Sequence, residues 1–212
     1  MENDLPFIEH IRHQLAQPLP GREAQLRMAF AQRADELRLN PTTPADARVA
    51  CVTLLLWQNN AEWSTVLIQR TSNPHDRHGG QVSFPGGKYE QTDESLAHTA
   101  LREAQEEIGV EAHRLDMLGR LTSLYIPVSN FMVHPFVCVV SGMPQFTPQP
   151  GEVEAIMTPS VKHFQQVENK GVGELVVGTG ALLKDVPCYW VEGKAVWGAT
   201  AMIMSEFLEV LT

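Results

Sequence analysis

Residues 49–57, VACVTLLLW, are apolar almost without a break and rich in aliphatic side chains, the pattern of a strand covered on both faces. A polar turn, QNNAEW, separates it from STVLIQR (64–70), which reads as a second strand. MLGRLTSLYI (117–126), MVHPFVCVV (132–140), GELVVG (173–178) and VPCYWVEG (186–193) read as further strands. Apolar residues at helical spacing mark FIEHIRHQLAQ near the start and VWGATAMIMSEFLEVL at the end. REAQLRMAF continues a helical pattern after PLPG, and PSVKHFQQV reads as a short helix with proline near its start. The turn-rich NPTTPADAR closes this first region, so residues 1–48 are expected to form a helical extension with a linker, and 49–212 the main domain. Strands with a few interspersed helices predict an α/β layered domain around a mixed sheet.

Two segments stand apart. Residues 71–94, TSNPHDRHGGQVSFPGGKYEQTDE, form a long loop with proline, glycine and charge, in which QVSF could pair as a strand. A helix follows from about Ser95 to Glu107, with Asp93 as the expected N-cap and Gly109 just past its end. On a helical wheel Ala97, Leu101, Ala104 and Ile108 fall together and are expected to face the core. Glu103, Glu106 and Glu107 share another side, where like charges at this spacing repel by roughly 0.2–0.5 kcal/mol per pair. An acidic solvated face accounts for that pattern, and so does a metal site. The Phe84–Gly87 stretch, FPGG, can bring backbone close to a ligand, and oxygen donors beside carboxylates suit Mg²⁺ or Mn²⁺.

Composition narrows the classes. The 212 residues are 43% hydrophobic and 19% charged, as globular chains are. A net charge of −9 disfavours nucleic acid as a partner. No apolar run reaches membrane-span length and the acidic start lacks signal-peptide character, so no membrane association is expected and the cytoplasm is the default location. Cys51, Cys138 and Cys188 are scattered in apolar surroundings and are expected to be buried, inert thiols. Met202 and Met204 are expected in the core. GVGELVVGTG matches no nucleotide-binding glycine motif and reads as turns around a strand.

GGKYEQTDESLAHTALREAQEEIGV resembles the Nudix box, Gly-x5-Glu-x7-Arg-Glu-apolar-x-Glu-Glu-x-Gly-apolar. Arg102, Glu103, Ala104, Glu106, Glu107, Gly109 and Val110 match its second half. Counting back from Arg102, the box glutamate falls on Glu94 and the box glycine on Lys88, one residue after Gly87. Either one residue is inserted in the loop or Asp93 takes the glutamate's place. The resemblance implies a Nudix-type α/β/α sandwich and hydrolysis of a nucleoside diphosphate linked to another group. It also implies Mg²⁺ or Mn²⁺ as cofactor, Glu103, Glu106 and Glu107 as metal ligands and catalytic residues, and Gly87 as a loop residue whose carbonyl can contact a cation. Arg102 is expected to brace the box by pairing with Glu94 or Asp93. Glu152, in PQPGEVEAI, is a candidate general base outside the box.

LIQRTSNPHDRHGGQVSFPGG resembles the signature that precedes the box in coenzyme A pyrophosphatases, carried by Arg70, His78, Gly80, Gln81, Val82, Phe84, Pro85, Gly86 and Gly87. It has one extra residue between Arg70 and Gly80, and Asp76 beside Arg77 where a basic residue is usual. VWGATAMIM resembles a Trp-Gly-x-Thr-Ala segment of the same subfamily, through Trp197, Gly198, Thr200 and Ala201. Arg70, His78, Gln81 and Phe84 are accordingly expected to contact a coenzyme A-like small molecule, with ADP-ribose as the alternative substrate. A ligand-binding domain without catalysis is a third reading, disfavoured by the three retained glutamates. A homodimer fits the resemblance too.

Overall fold

The computed structural model describes residues 5–39, 43–72, 78–176 and 181–212. Three short helices come first: α1 (Leu5–Leu15), α2 (Gly21–Leu26) and α3 (Ala31–Leu39). The long apolar run forms β1 (Arg48–Asn59). The stretch expected as one strand is two, β2 (Glu62–Thr65) and β3 (Leu67–Arg70), broken at Val66. β2 pairs with β1, whereas β3 leaves for a second sheet, so the break is the corner at which the chain changes sheets.

The long loop contributes two pieces, β4 (Val82–Ser83) and β5 (Gly86–Lys88), before α4 (Leu96–Ile108). After α4 come β6 (Leu115–Arg120), β7 (Leu124–Ile126), β8 (Phe131–Val140) and β9 (Val153–Met157). The last third contains α5 (Val161–Gln165), β10 (Lys170–Val176), β11 (Leu182–Val191), β12 (Lys194–Trp197) and α6 (Gly198–Val210). The central sheet runs β2-β1-β8-β6, with β5 on β1 and β7 on β8. β1 and β8 are parallel and the other pairs antiparallel, so the sheet is mixed. β4-β3-β9 and β10-β11-β12 form two smaller sheets.

Alternation along the central strands explains why their sequences look uniformly apolar. Leu54, Leu56, Val137 and Val139 enter one core with Ile11, Leu26, Met202 and Phe207 from α1, α2 and α6. Leu55, Trp57, Cys138 and Val140 enter another with Ala104 and Ile108 of α4. Helices thus cover both faces, the expected α/β/α sandwich. Glu206 of α6, fully buried, accepts bonds from Gln25 Nε2 (2.8 Å), Gly21 N (3.2 Å) and Thr122 N (3.1 Å), tying the N-terminal helices to the β6–β7 connection. Met202, Met204 and the three cysteines are buried as expected, and burial pushes the Cys51 and Cys138 thiols up to about 12. Among the described residues no helix is long and apolar enough to cross a membrane.

Candidate active site

The cap of α4 lies two residues later than its acidic flank suggests. The N-cap is Ser95, whose Oγ accepts from His98 N at 3.1 Å, and not Asp93 as expected. At the other end Gly109 adopts the left-handed conformation, φ 72°, expected of a residue just past a helix. Ala97 and Leu101, half-buried, pack against the core as expected, along with Ala104 and Ile108; Ala100 and the charged Glu103 and Glu107 are buried too. The buried arc therefore runs through two of the three glutamates, and Glu106 alone points outward.

Asp93 is free of the capping role because it serves Arg102. Arg102 Nε and Nη2 donate to Asp93 Oδ1 and Oδ2 at 2.9 and 3.0 Å, a bidentate pair. Asp93 Oδ2 also accepts from Glu90 N and Thr99 Oγ1, and its Oδ1 lies 3.1 Å from His98 Nδ1. The guanidinium and these donors hold its carboxyl well below the usual carboxylate range. Of the two partners open for Arg102, the structure brings up Asp93, and Glu94 is exposed. Arg102 Nη2 also reaches the Lys88 carbonyl at 3.1 Å, and Nη1 reaches Glu103 Oε1 (2.9 Å) and Glu106 Oε2 (3.1 Å). One side chain thus joins the loop, β5 and two glutamates.

β5 lies antiparallel against β1, with Gly86 opposite Val52 and Gly87 opposite Cys51. Gly86 has φ 156°, and a side chain there would run into the Cys51 carbonyl and the Val52 backbone. A side chain on Gly87 would overlap the Glu103 carboxylate. Glu107, 1% exposed, accepts from Gly86 N at 2.7 Å and has Arg70 Nη1 at 3.6 Å. The FPGG turn and two buried carboxylates of α4 therefore interlock.

Burial raises the Glu107 carboxyl to about 8, against the pull of the Gly86 N–H and the Arg70 cation, with Glu103 and Glu152 adding to the rise. Burial likewise raises Glu103, opposed by Arg102 and reinforced by Glu106 and Glu152. Glu152, exposed, is thus close enough to both to be felt electrostatically. It sits where a β3–β9 register shift sets Arg70 opposite Val153, and Thr71 N donates to its carbonyl. The segment carrying it is strapped to the end of α4 by Thr147 N to Ile108 O (2.9 Å) and Gln149 N to Glu107 O (3.0 Å).

Arg70, His78 and Gln81 also come together. Arg70 N donates to Gln81 O, Gly80 N to Arg70 O, and His78 Nδ1 lies 3.2 Å from Gln81 Oε1. Phe84 does not join them. It is 2% exposed in the core with α6, so the expected substrate contact is replaced by packing. His75, Asp76 and Arg77 of the signature, and residues 177–180 of the glycine-rich stretch, lie outside the described residues.

Sequence reasoning missed several supports of this arrangement. Thr99 stands six residues after Asp93, a spacing with no helical meaning until the preceding turn folds back. The Lys88 carbonyl and the Gly86 N–H are backbone groups without a side-chain signal. As they stand, no three Asp, Glu, His or Cys side chains among the described residues converge on one point, since Arg102 and Gly86 hold the glutamates. The donor set nevertheless suits a hard divalent cation. It is all oxygen, and two of its carboxylates are buried where a counter-charge would relieve the cost of ionising them.

Comparison with known proteins identifies the frame. The NUDIX domain family model matches residues 47–172. The chain is 30% identical over 191 residues to the mitochondrial coenzyme A diphosphatase NUDT8 of Mus musculus, covering 89% of this chain and 87% of that protein. It is 34% identical over 140 residues to the uncharacterized Nudix hydrolase NudL of Yersinia enterocolitica, covering 66% of this chain and 70% of that one. A MutT/nudix family protein from Enterococcus faecalis aligns with a TM-score of 0.49 at 15% identity, over 89% of this chain and 70% of that one. Nudix hydrolases generally use divalent metal ions and act on small nucleotide-derived substrates. The chain belongs to the Nudix family and is a pyrophosphohydrolase.

Proposed function

We propose that the chain hydrolyses the diphosphate of coenzyme A or of a coenzyme A derivative, giving 4′-phosphopantetheine and adenosine 3′,5′-bisphosphate. The observation that carries this reading is the 30% identity, across nearly the whole chain, to a protein described as a coenzyme A diphosphatase. The clustering of Arg70, His78 and Gln81 beside the glutamates supports it.

Glu103, Glu106 and Glu107 would hold Mg²⁺ or Mn²⁺, with the Gly87 carbonyl as a further oxygen donor. A divalent cation bound there neutralises phosphate charge and makes water a better nucleophile at neutral pH. Arg102, fixed by Asp93 and the Lys88 carbonyl, keeps Glu103 and Glu106 aimed. Gly86 N–H orients Glu107. Arg70 presents a planar fork suited to a phosphate oxygen pair. Glu152 stands at the edge of the cluster, where a carboxylate can take the proton of the attacking water. The phosphorus–oxygen bond to that water forms as the bridging bond of the diphosphate breaks, and the leaving phosphate carries the electron pair away.

The test is a substrate panel. Purified protein with Mg²⁺ or Mn²⁺ is assayed against coenzyme A, dephospho-coenzyme A, ADP-ribose, dinucleoside polyphosphates and NADH, with products separated by chromatography. The expected result is the highest kcat/KM for coenzyme A or an acyl derivative. Equal or higher values for dephospho-coenzyme A or ADP-ribose would reassign the substrate within the family.

A further inference from the structure

The small sheet β10-β11-β12 carries a feature the catalytic cluster does not use. β10 pairs with β11 alone, and its other edge meets no strand, among the described residues. Val172 stands opposite Pro187. Across the two-residue turn at Glu192 and Gly193, Val191 and Lys194 form a hydrogen-bonded pair, so alternation along β11 turns the main chain of Pro187 away from β10. Val172 opposite it makes no cross-strand hydrogen bonds to β11, and its N–H and C=O point to the other edge. The two-residue period turns Lys170 and Glu174 the same way. The bulge in this ladder leaves that period intact. Gly173 is opposite Val186 and Leu175 opposite Leu183, so the additional residue lies on β11, where Asp185 has φ 54°.

The same residues expose their side chains. Val172 is 62% and Val176 73% exposed, Leu182, opposite Val176, is 49% exposed, and Lys170 and Glu174 are exposed. Edge strands in monomeric proteins are usually blunted by proline, bulges or several charges. β10 has no proline, keeps the bulge on its partner strand and carries one cation and one anion. Those two charges lie two residues either side of Val172.

We propose that this edge is an interface with a second copy of the chain, paired antiparallel about a two-fold axis at Val172. The symmetry sets Val172 against Val172, with reciprocal N–H to C=O bonds, and Lys170 of each copy against Glu174 of the other. The pair of opposite charges therefore occurs twice. A strand with both charges of one sign could not close on itself in this register, and β10 is self-complementary in it. Pairing also extends the sheet from three strands to six and covers part of the exposed valine surface.

Sedimentation equilibrium over a concentration series, with thermal melts to confirm folding, tests this. The wild-type chain is expected to dimerise reversibly. Lys170→Glu and Glu174→Lys each turn both opposite-charge pairs into like-charge pairs, so each is expected to raise the dimer Kd at least ~10-fold. The double variant Lys170→Glu/Glu174→Lys restores both pairs in reverse and should return Kd to within ~3-fold of wild type. A wild-type chain that is monomeric throughout overturns the proposal, with the two charges then guarding the edge against pairing. A dimer indifferent to the single variants, or one the double variant does not restore, overturns it equally.

Discussion

Gly86 and Gly87 are neighbours, yet alanine should affect the fold mainly at the first and turnover at the second. At Gly86 the new methyl group meets the Cys51 carbonyl and the Val52 backbone, neither of which can swing aside without parting β5 from β1. Overpacking of this kind costs ~1–3 kcal/mol, and a side chain in a conformation favouring glycine costs a similar amount. About 3 kcal/mol or more is expected, which lowers Tm by roughly 6–12 °C in a chain of this size. At Gly87 the obstacle is the Glu103 carboxylate, the far end of a flexible side chain. It can rotate away at the cost of its 2.9 Å bond to Arg102, ~1.5–3 kcal/mol, offset in part by ~0.4–1 kcal/mol from the stiffer unfolded chain. A net loss of ~1–2 kcal/mol, or under about 8 °C, is expected. Turnover should behave the other way, because a displaced Glu103 leaves the carboxylate cluster misaligned. A misplacement of about 1 Å can cost ~100-fold, so Gly87→Ala should retain its fold and lose at least that much kcat. Thermal melts and divalent-ion-dependent hydrolysis measured on both variants decide it. The interlock is wrong if Gly87→Ala melts with Gly86→Ala, or if it turns over within about twofold of wild type.

Asp93→Asn should cost ~2–4 kcal/mol, because Arg102 loses a buried bidentate partner, whereas Glu94→Gln should stay within ~0.5 kcal/mol. In urea titrations the Asp93→Asn and Arg102→Ala losses should be strongly non-additive, and additive losses would refute the brace. Glu206→Ala removes the common acceptor of Gln25, Gly21 and Thr122, so a loss of ~3 kcal/mol is expected, with proteolysis appearing first near residues 16–30; unchanged cleavage would count against the tie. Glu107 binds its proton more tightly folded (about 8) than at its ordinary value of 4.5. The folded state therefore holds the extra proton between these values, and without divalent ions stability should fall as pH rises through that window, by at most ~1.4 kcal/mol per unit. Melts in chelator should show a slope that Glu107→Gln flattens, and an equal slope in both proteins would refute the assignment.

Much of this fold is legible in the chain because β1 and β8 are buried on both faces and can be nothing but central strands. β5 and β9 are not legible. Gly86–Lys88 has no apolar period, and it pairs because glycine lets β1 come close. Val153–Met157 follows a polar loop and pairs with β3 only after that strand has turned away at Val66. On α4 a helical wheel separates apolar from charged positions but cannot tell a buried charge from an exposed one: Glu103 and Glu107 lie inside because the Gly86 N–H and the Arg102 guanidinium stand in for water. Asp93 reads both as a helix cap and as a partner of Arg102, and the bidentate guanidinium takes it. Phe84, like Val82 of the same signature, is buried in the core, and nothing in its spacing tells packing from contact. The box glutamates, Arg70, His78 and Gln81 stand out in the chain by residue type and spacing, and the fold brings Arg70 beside Glu107 and next to Gln81 and His78.

The strap from residues 147–149 to the end of α4 is made wholly of main-chain bonds. Its geometry is therefore indifferent to which side chains it displays, with proline at 147 or 149 as the obvious exception, since each must donate an N–H. Gly109 is the reciprocal constraint, for a side chain there would meet Thr147. The segment that brings Glu152 to the cluster can thus accumulate substitutions while keeping its position. The loop beside the carboxylates is free to be rewritten by evolution, or by an engineer seeking a different nucleotide, without renegotiating the end of the helix it is tied to.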